Sequence, residues 1–367
     1  MQIQAYAIVD KEYQEGQYSD FFHSDPITKF VYMPTEKKYK TSDYILSKTL
    51  HDAEEKAVLD TLRSKFWASG AGVGNVRIFE NKFKKYTNAN ECLAVNSGTA
   101  ALNIAVSLLD VKDKEVIIPS LSFISTANCI LMTGAKPILC DINYDDGNMD
   151  VKNASEKPDA IIPVHIYGNP CDFESIKNLS ETNKIPIIED ACQAHCATYK
   201  GKKVGSLGQL GCFFFYPTKN MTVGGDGGMI TTDDDDLSKA IISLRDNGRK
   251  ESNRPIHEKV GFTMRLNTVK AAMGRVVLKN LDEKNKRRKE IAGIYEKNMS
   301  KNILLSTNKL GRSVFHQIVI KHKERDKIKS HLSENGIGTA IHYAVPIHKQ
   351  PIYSNLNLSL PVSETFA

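Results

Sequence analysis

Two short apolar runs of this chain each lead into residues that could do chemistry. Residues 185–188 lead into Glu189 and Asp190, and residues 211–216 lead to Lys219. Such runs are typical of buried strands, and open α/β sheets bind ligands at the carboxyl ends of their strands. A lysine can form a Schiff base with an aldehyde, and a carboxylate can keep a pyridine nitrogen protonated. The two groups together predict a site for pyridoxal 5'-phosphate.

Taken one at a time, these residues have ordinary structural explanations. Most lysines in loops are solvated, and an aspartate after a strand often caps the next helix. The functional interpretation depends on the order of the surrounding motifs, which are EDACQAH, YKGKKVGSLG, FYPTKN and GGDGG.

This order resembles the sugar aminotransferases of the DegT/StrS type, a branch of the fold-type I enzymes that use pyridoxal phosphate. The resemblance begins near residue 46 and leaves out the stretch before it. Matched residue by residue, it implies that Lys219 forms the Schiff base and that Asp190 partners the pyridine nitrogen. It also implies that Gln193 partners the ring hydroxyl group.

A third motif, NSGTAALNIAVSLL, follows the apolar run CLAV and predicts a strand, a tight turn and a helix. Backbone N–H groups at a helix N-terminus can hold an anion, and Gly98 would let it approach closely. A plain helix cap is the alternative. With Lys219 in the same chain, we expect Ser97, Gly98 and Thr99, here called the phosphate cradle, to bind the cofactor phosphate. By resemblance Phe123 stacks on the cofactor ring; a core aromatic is the alternative.

Short apolar runs alternate with helical patterns along the chain, which predicts an α/β fold with a mostly parallel sheet covered on both faces. The resemblance implies a fold-type I architecture: a large three-layer domain over residues 49–282 and a smaller α/β C-terminal domain over residues 283–367. A long helical stretch from Asn267 connects them. The last domain is expected to be truncated, because family members continue beyond LPVSETFA. Residues 1–48 are expected to form an N-terminal extension.

The composition excludes several other classes of protein. The chain has 367 residues, of which 41% are hydrophobic and 25% charged, and its net charge is +6. Without an apolar run of eighteen residues or a signal peptide, we expect a cytoplasmic protein with no membrane segment. The basic cluster at residues 284–289 predicts a solvated helix face rather than a nucleic-acid site.

The seven cysteines are an odd number, mostly within apolar runs, which favours reduced thiols over a disulfide framework. Cys192, His195 and Cys196 lie close together and could suggest zinc. Their spacing is not a CxxC pair and no second pair follows, so we predict no metal site.

Two positions in the family-like segments depart from the pattern that the family usually has. Five residues before the lysine the family usually has a serine that bonds the phosphate, and here stands Phe214. Thr263 stands where an asparagine usually reaches the phosphate of the partner subunit. Both changes predict weaker retention of the cofactor. By the same match His348 faces the substrate pocket; a structural histidine is the alternative.

The resemblance implies a transaminase that passes an amino group, with glutamate as the expected donor, to a nucleotide-linked keto sugar in surface polysaccharide biosynthesis. It also implies a homodimer with shared active sites. Whether C3 or C4 of the sugar is aminated stays open. A related sugar dehydratase has histidine in place of the lysine, and Lys219 opposes that activity. The competing hypothesis is a non-catalytic relative with weakened cofactor binding, as Phe214 and Thr263 would suggest.

Overall fold

The structure is a computed structural model that describes residues 2–5, 52–67, 74–153, 157–250, 255–300 and 303–367. Most of residues 1–48, predicted to be an extension, lie outside these ranges. The strands are β1 (Gln2–Ala5), β2 (Glu91–Val95), β3 (Glu115–Pro119), β4 (Lys136–Cys140), β5 (Ala160–Ile161), β6 (Ile188–Asp190), β7 (Thr198–Tyr199), β8 (Lys202–Lys203), β9 (Leu210–Phe214), β10 (Gly228–Thr232), β11 (Gly311–Arg312), β12 (Ile318–Lys321) and β13 (Thr339–Ala340). The α-helices are α1 (Asp52–Arg63), α2 (Asn75–Thr87), α3 (Gly98–Ser107), α4 (Ser125–Met132), α5 (Phe173–Asn183), α6 (Asp235–Leu244), α7 (Thr268–Val277), α8 (Leu281–Asn298), α9 (Arg325–Glu334) and α10 (Pro361–Phe366).

The central sheet is formed by two smaller sheets that meet edge to edge. One has the order β2-β10-β9-β6 and the other the order β4-β3-β5. Parallel bridges from Ile161 to Ile187 and from Val164 to Asp190 join them, so that β5 lies beside β6. Every neighbouring pair is parallel except the two that β10 makes with β2 and β9. The predicted mostly parallel sheet is therefore confirmed.

Helices cover both faces of this sheet because successive side chains of a strand point to opposite sides. In β2, Leu93 and Val95 enter the apolar core formed with α3, α4 and α6. Cys92 and Ala94, which alternate with them along the strand, enter the core formed with α2 and α7. The predicted three-layer arrangement is thus present in the described part of the chain.

The helical stretch predicted from Asn267 consists of three successive segments. Asn267 caps α7, its side chain accepting the N–H of Val269 at 2.8 Å. A 3-10 turn at Leu278–Asn280 separates α7 from α8. The predicted boundary between residues 282 and 283 falls within α8, and the division into domains stays a prediction.

A second, antiparallel sheet has the order β12-β1-β13, and α9 packs beside it. The strand Gln2–Ala5 therefore lies in the middle of a sheet formed mainly by the C-terminal part of the chain. Four residues are too few for a hydrophobic period to show, so the sequence did not predict this strand.

The last helix, α10, packs against the central sheet. Ser363 donates its N–H to Asp141 at 2.7 Å, and the N–H of Val362 donates to the other carboxylate oxygen at 3.0 Å. The Phe366 side chain is fully buried and meets Tyr144 edge to face, with 5.9 Å between ring centres. Among the described helices, none combines the length and the apolar composition needed to cross a membrane.

Candidate active site

Asp190, the last residue of β6, is fixed at the sheet edge by its backbone and by its side chain. Its N–H donates to the carbonyl of Pro163 at 2.9 Å, and its carbonyl accepts the N–H of His165 at 3.1 Å. The side chain is only 5% exposed. Oδ1 accepts the N–H of Cys192 at 3.1 Å, and Oδ2 accepts the hydroxyl of Thr126 at 3.0 Å. This is an oriented, buried carboxylate at the carboxyl end of a strand.

Glu189 precedes it and points to the opposite side of the strand. Its two oxygens accept N–H groups from Gly205, Leu207 and Gly208, each at 2.7 Å. Nε2 of His165 lies 3.0 Å from Oε2. Because these partners satisfy the buried carboxylate, Glu189 fixes the turn at residues 205–208 and not the ligand. The two acids at the strand end therefore serve different purposes.

Lys219 lies in the connection from β9 to β10, within a turn in which its N–H donates to the carbonyl of Tyr216 at 2.9 Å. Burial lowers the pKa of the Lys219 amine below its usual value, and Cys192 and Asp190 act in the opposite direction. Nζ stands 5.8 Å from the centre of the Phe214 ring. A lysine with a lowered pKa can act as nucleophile or base more readily than a solvated one.

The phosphate cradle is the N-terminus of α3. Ser97 is extended and caps the helix, its hydroxyl oxygen accepting the N–H of Ala100 at 3.0 Å. The hydroxyl of Thr99 is exposed and lies 2.9 Å from that of Ser125. The first N–H groups of a helix have no acceptor within it, and they face outward with the positive end of the helix dipole. Ser97 is thus a helix cap at a place that also suits an anion.

Phe214, at the end of β9, forms the wall beside this cradle. A methyl group built on Gly98 would stand 2.6 Å from the Phe214 Cβ and 3.1 Å from Sγ of Cys192. The Phe214 ring stacks on that of Tyr216, with 5.5 Å between centres. The close approach requires glycine at position 98, and the wall carries an aromatic ring in place of a hydroxyl donor.

Aromatic rings and one amide surround the opening of the site. Phe123 is 56% exposed, and its ring centre lies 6.4 Å from that of Tyr343. Gln193 is held at both ends: Oε1 accepts the N–H of Tyr167 at 2.8 Å, and Nε2 donates to the Tyr343 hydroxyl at 3.0 Å. An exposed ring beside a polar amide suits a flat, polar ligand.

Thr263 has polar neighbours, although it lacks the expected amide. Its hydroxyl donates to Oδ1 of Asn247 at 2.9 Å, and Nδ2 of Asn96 donates to its carbonyl at 3.4 Å. Two asparagine side chains therefore reach this position from other parts of the chain.

The side chain of His348 is buried. Its Nε2 lies 3.1 Å from Glu364 at the start of α10, and the neighbouring Ile347 donates its N–H to Ser120 at 2.8 Å. A contact with substrate stays a prediction for this residue.

The residues that could suggest zinc have other contacts. Sγ of Cys196 lies 2.6 Å from Nζ of Lys203 and 3.2 Å from Asp282. The His195 ring packs against Phe213, with 5.7 Å between centres. Within the described ranges, no group of three or more His, Cys, Asp or Glu side chains could hold a metal ion. All seven cysteines are free thiols.

Two further residues of this site, Thr126 and Tyr343, are absent from the sequence prediction. Thr126 contacts Asp190 across 64 positions of the chain, and Tyr343 contacts Gln193 across 150. Their positions in the sequence could have indicated that they belong to the site. Thr126 follows Phe123 by three residues, and Tyr343 lies in the family-like segment HYAVPIHKQPIY.

Comparison with known proteins identifies the family. The model of the DegT/DnrJ/EryC1/StrS aminotransferase family matches residues 48–367. The chain belongs to this family. Its cofactor is accordingly pyridoxal phosphate, and the resemblance and fold class inferred from the sequence are confirmed.

Members of the DegT/DnrJ/EryC1/StrS family with curated names match most of the chain. The GDP-perosamine synthase of Escherichia coli O157:H7 is 32% identical over 85% of this chain and 87% of its own length. The dTDP-3-amino-3,6-dideoxy-alpha-D-galactopyranose transaminase of Aneurinibacillus thermoaerophilus is 37% identical over 84% and 86%. Among solved structures, DesV of S. venezuelae is similar with a TM-score of 0.81 and 33% identity, covering 86% of each chain.

The donor set fits the cofactor of this aminotransferase family. Lys219 offers an amine of lowered pKa, and Asp190 offers a buried carboxylate. The exposed ring of Phe123 and the N-terminus of α3 provide an aromatic face and an anion site. Phe214 is the departure from this fit, because its ring brings no hydrogen-bond donor to the cradle.

Proposed function

We propose that the protein transfers an amino group from glutamate to the keto group of a nucleotide-linked sugar. The observation that carries the proposal is the pair of Lys219 and Asp190 at one edge of the sheet: Asp190 ends β6, and Lys219 follows β9, the parallel neighbour of β6. The relatives named for GDP-linked and dTDP-linked sugars support the substrate class. The product would serve surface polysaccharide biosynthesis in the cytoplasm.

When bound, pyridoxal phosphate supplies an electron sink for the negative charge that develops at the carbon bearing the amino group. Lys219 would hold the cofactor covalently and then move a proton at the Cα atom of the donor. Its lowered pKa favours the neutral amine that this proton transfer needs. Asp190 would keep the ring nitrogen protonated, and Gln193 would bond the ring hydroxyl through its Nε2 group.

The remaining cofactor contacts follow from the shape of the site. The N–H groups of Gly98 and Thr99 and the Thr99 hydroxyl would bind the phosphate, with Ser97 fixing the first turn of the helix. Phe123 would stack on the ring. His348 is proposed to border the sugar pocket.

The proposed enzyme is a homodimer whose active sites are shared between subunits. Ile256 is 49% exposed and Val260 91% exposed, and they precede the exposed Thr263 in a segment that lies against Asn247. Exposed apolar side chains beside a site support coverage by a second copy. Light scattering after size-exclusion chromatography tests this, and a monomer at micromolar concentration would refute it.

The first experiment tests cofactor binding. Purified protein mixed with pyridoxal phosphate should gain the violet absorption band of lysine-bound cofactor, and Lys219→Ala should lack it. If wild type shows no band, or if the band persists in Lys219→Ala, the catalytic assignment fails and a non-catalytic relative with decayed cofactor binding becomes the better description.

The second experiment tests the substrates. The loaded enzyme is incubated first with glutamate and then with a panel of GDP-, dTDP- and UDP-linked keto sugars. The proposal expects glutamate to convert the cofactor to its amino form and one sugar class to convert it back. If glutamate acts but no sugar does, the sugar assignment fails while transaminase activity stands. The carbon that carries nitrogen in the product settles the choice between C3 and C4.

A further inference from the structure

A line of buried hydroxyl groups ends on the carboxylate of Asp190. The hydroxyls of Ser122 and Thr126 lie 2.8 Å apart, and Oγ1 of Thr126 lies 3.0 Å from Oδ2 of Asp190. Thr126 is fully buried, and Ser122 and Asp190 are 4% and 5% exposed. The roles proposed above for the site residues give no reason for these hydroxyl contacts.

The direction of the line follows from the number of hydrogens. A threonine hydroxyl has one hydrogen, and an ionised carboxylate can only accept. Thr126 therefore donates to Asp190, and Ser122 must donate to Thr126. The second carboxylate oxygen accepts the N–H of Cys192 at 3.1 Å. With one donor on each oxygen, the plane of the carboxylate is fixed.

The same turn of α4 also reaches the phosphate cradle. Ser125, next to Thr126, has its hydroxyl 2.9 Å from that of Thr99. Thr126 thus contacts Asp190, which would face the ring nitrogen. Its neighbour Ser125 contacts Thr99, which would face the phosphate. The start of α4 links the two ends of the cofactor site.

We propose that Thr126 is a positioning residue that orients and stabilises the Asp190 carboxylate for the cofactor ring nitrogen, with Ser122 fixing the direction of its hydroxyl. This inference rests on the proposed function, since it assumes that the site holds pyridoxal phosphate. Thr126 itself contacts neither the substrate nor the reacting atoms.

The test compares Thr126→Val, which keeps the shape and removes the donor, with Thr126→Ser, which restores the hydroxyl. Losing a hydrogen bond to a charged group should weaken cofactor binding about tenfold or more. Titration with pyridoxal phosphate should show this loss for Thr126→Val, with Thr126→Ser within about threefold of wild type. Ser122→Ala should have a smaller effect in the same direction. Thr133→Val is the control, because the hydroxyl of Thr133, which caps the C-terminal end of the same helix, donates to the backbone carbonyl of Ile130.

A double-mutant cycle separates positioning from general damage to the fold. In an Asp190→Ala background, which removes both acceptor oxygens, Thr126→Val should change cofactor affinity less than about twofold. The same loss in both backgrounds, or no rescue by Thr126→Ser, would overturn the inference. If wild type binds the cofactor and Thr126→Val binds equally well, the inference fails and the proposed function stands. If wild type does not bind, both fail.

Discussion

The Cβ atom of Phe214 lies against the backbone of Gly98, where an added methyl group would stand only 2.6 Å from it. Position 98 begins α3 and position 214 ends β9, so the first turn of the helix rests on the end of the strand. Because the N–H groups of that turn are the expected phosphate ligands, this contact sets the shape of the phosphate cradle.

Gly98→Ala should weaken binding of pyridoxal phosphate about tenfold or more, because the first turn of α3 must move away from Phe214. Absorbance titration measures the dissociation constant. Gly293→Ala is the matched control: among the described residues the added methyl group would face open space, and alanine is the better helix former. The control should bind as wild type does. If Gly98→Ala also did so, the cradle would not be the phosphate site.

Phe214→Ser should bind the cofactor about tenfold more tightly than wild type, because it places a hydroxyl donor beside the cradle. It should also be less stable, since the ring stacked on Tyr216 is lost. Tyr216→Ser removes the same stacking without adding a donor at the end of β9. Equal cofactor affinities for the two variants would show that the hydroxyl does not reach the phosphate.

The pKa of Lys219, which burial lowers from 10.5, predicts how stability depends on pH. Between the folded and unfolded pKa values the unfolded chain binds more protons, so stability rises with pH across that window. Lys219→Met removes this dependence. The cofactor-free variant should be more stable than wild type below the folded pKa, and the difference should shrink as pH rises towards 10.5.

Urea denaturation from about pH 7 to about pH 10 measures the difference between Lys219→Met and wild type. Lys289→Met, at an exposed position of α8, should show a difference that does not change with pH. If the stability difference between Lys219→Met and wild type were also independent of pH, the amine would not be desolvated in the folded state.

The sequence predicted the parts of the site that are local in the chain: a strand leading to Asp190, an apolar run leading to Lys219, and a strand, turn and helix around Ser97. The helix cap that the structure shows at Ser97 was the alternative to its predicted role in phosphate binding. The spacing alone also placed Glu189 at the strand end, and only the family resemblance assigned the pyridine nitrogen to Asp190. Successive side chains of a strand point to opposite faces of the sheet. Which face carries the site depends on how segments distant in sequence pack against that sheet. Contacts such as Gln193 with Tyr343 could not be derived from spacing for the same reason.

Glu189→Gln should reduce the free energy of unfolding by about 3 kcal/mol. In wild type both carboxylate oxygens of Glu189 accept backbone N–H groups. In the variant an NH₂ group replaces one of these oxygens and faces the same donors. The side chain beside His165 also loses its negative charge. Chemical denaturation measures the change. Glu174→Gln, on the surface beside Lys200, should cost less than about 1 kcal/mol. If Glu189→Gln were as mild as this control, the turn at residues 205–208 would not depend on the carboxylate.

Tyr343→Phe should lower kcat/KM for the amino donor about fivefold while leaving the fold intact. The hydroxyl that accepts from Nε2 of Gln193 at 3.0 Å disappears, whereas the ring that faces Phe123 is kept. Since the N–H of Tyr167 fixes only the oxygen end of the Gln193 amide, the nitrogen end would lose its orientation towards the ring hydroxyl.

Steady-state kinetics and a thermal melt of the cofactor-loaded protein distinguish loss of orientation from loss of stability in Tyr343→Phe. Tyr144→Phe is the control, because the Tyr144 ring is 42% exposed and packs against Phe366, at the end of the chain. Unchanged kcat/KM in Tyr343→Phe would mean that the backbone of Tyr167 alone is enough to orient Gln193. A drop in melting temperature together with unchanged kinetics would instead mean that the Tyr343 hydroxyl serves to hold the C-terminal segment against the central sheet.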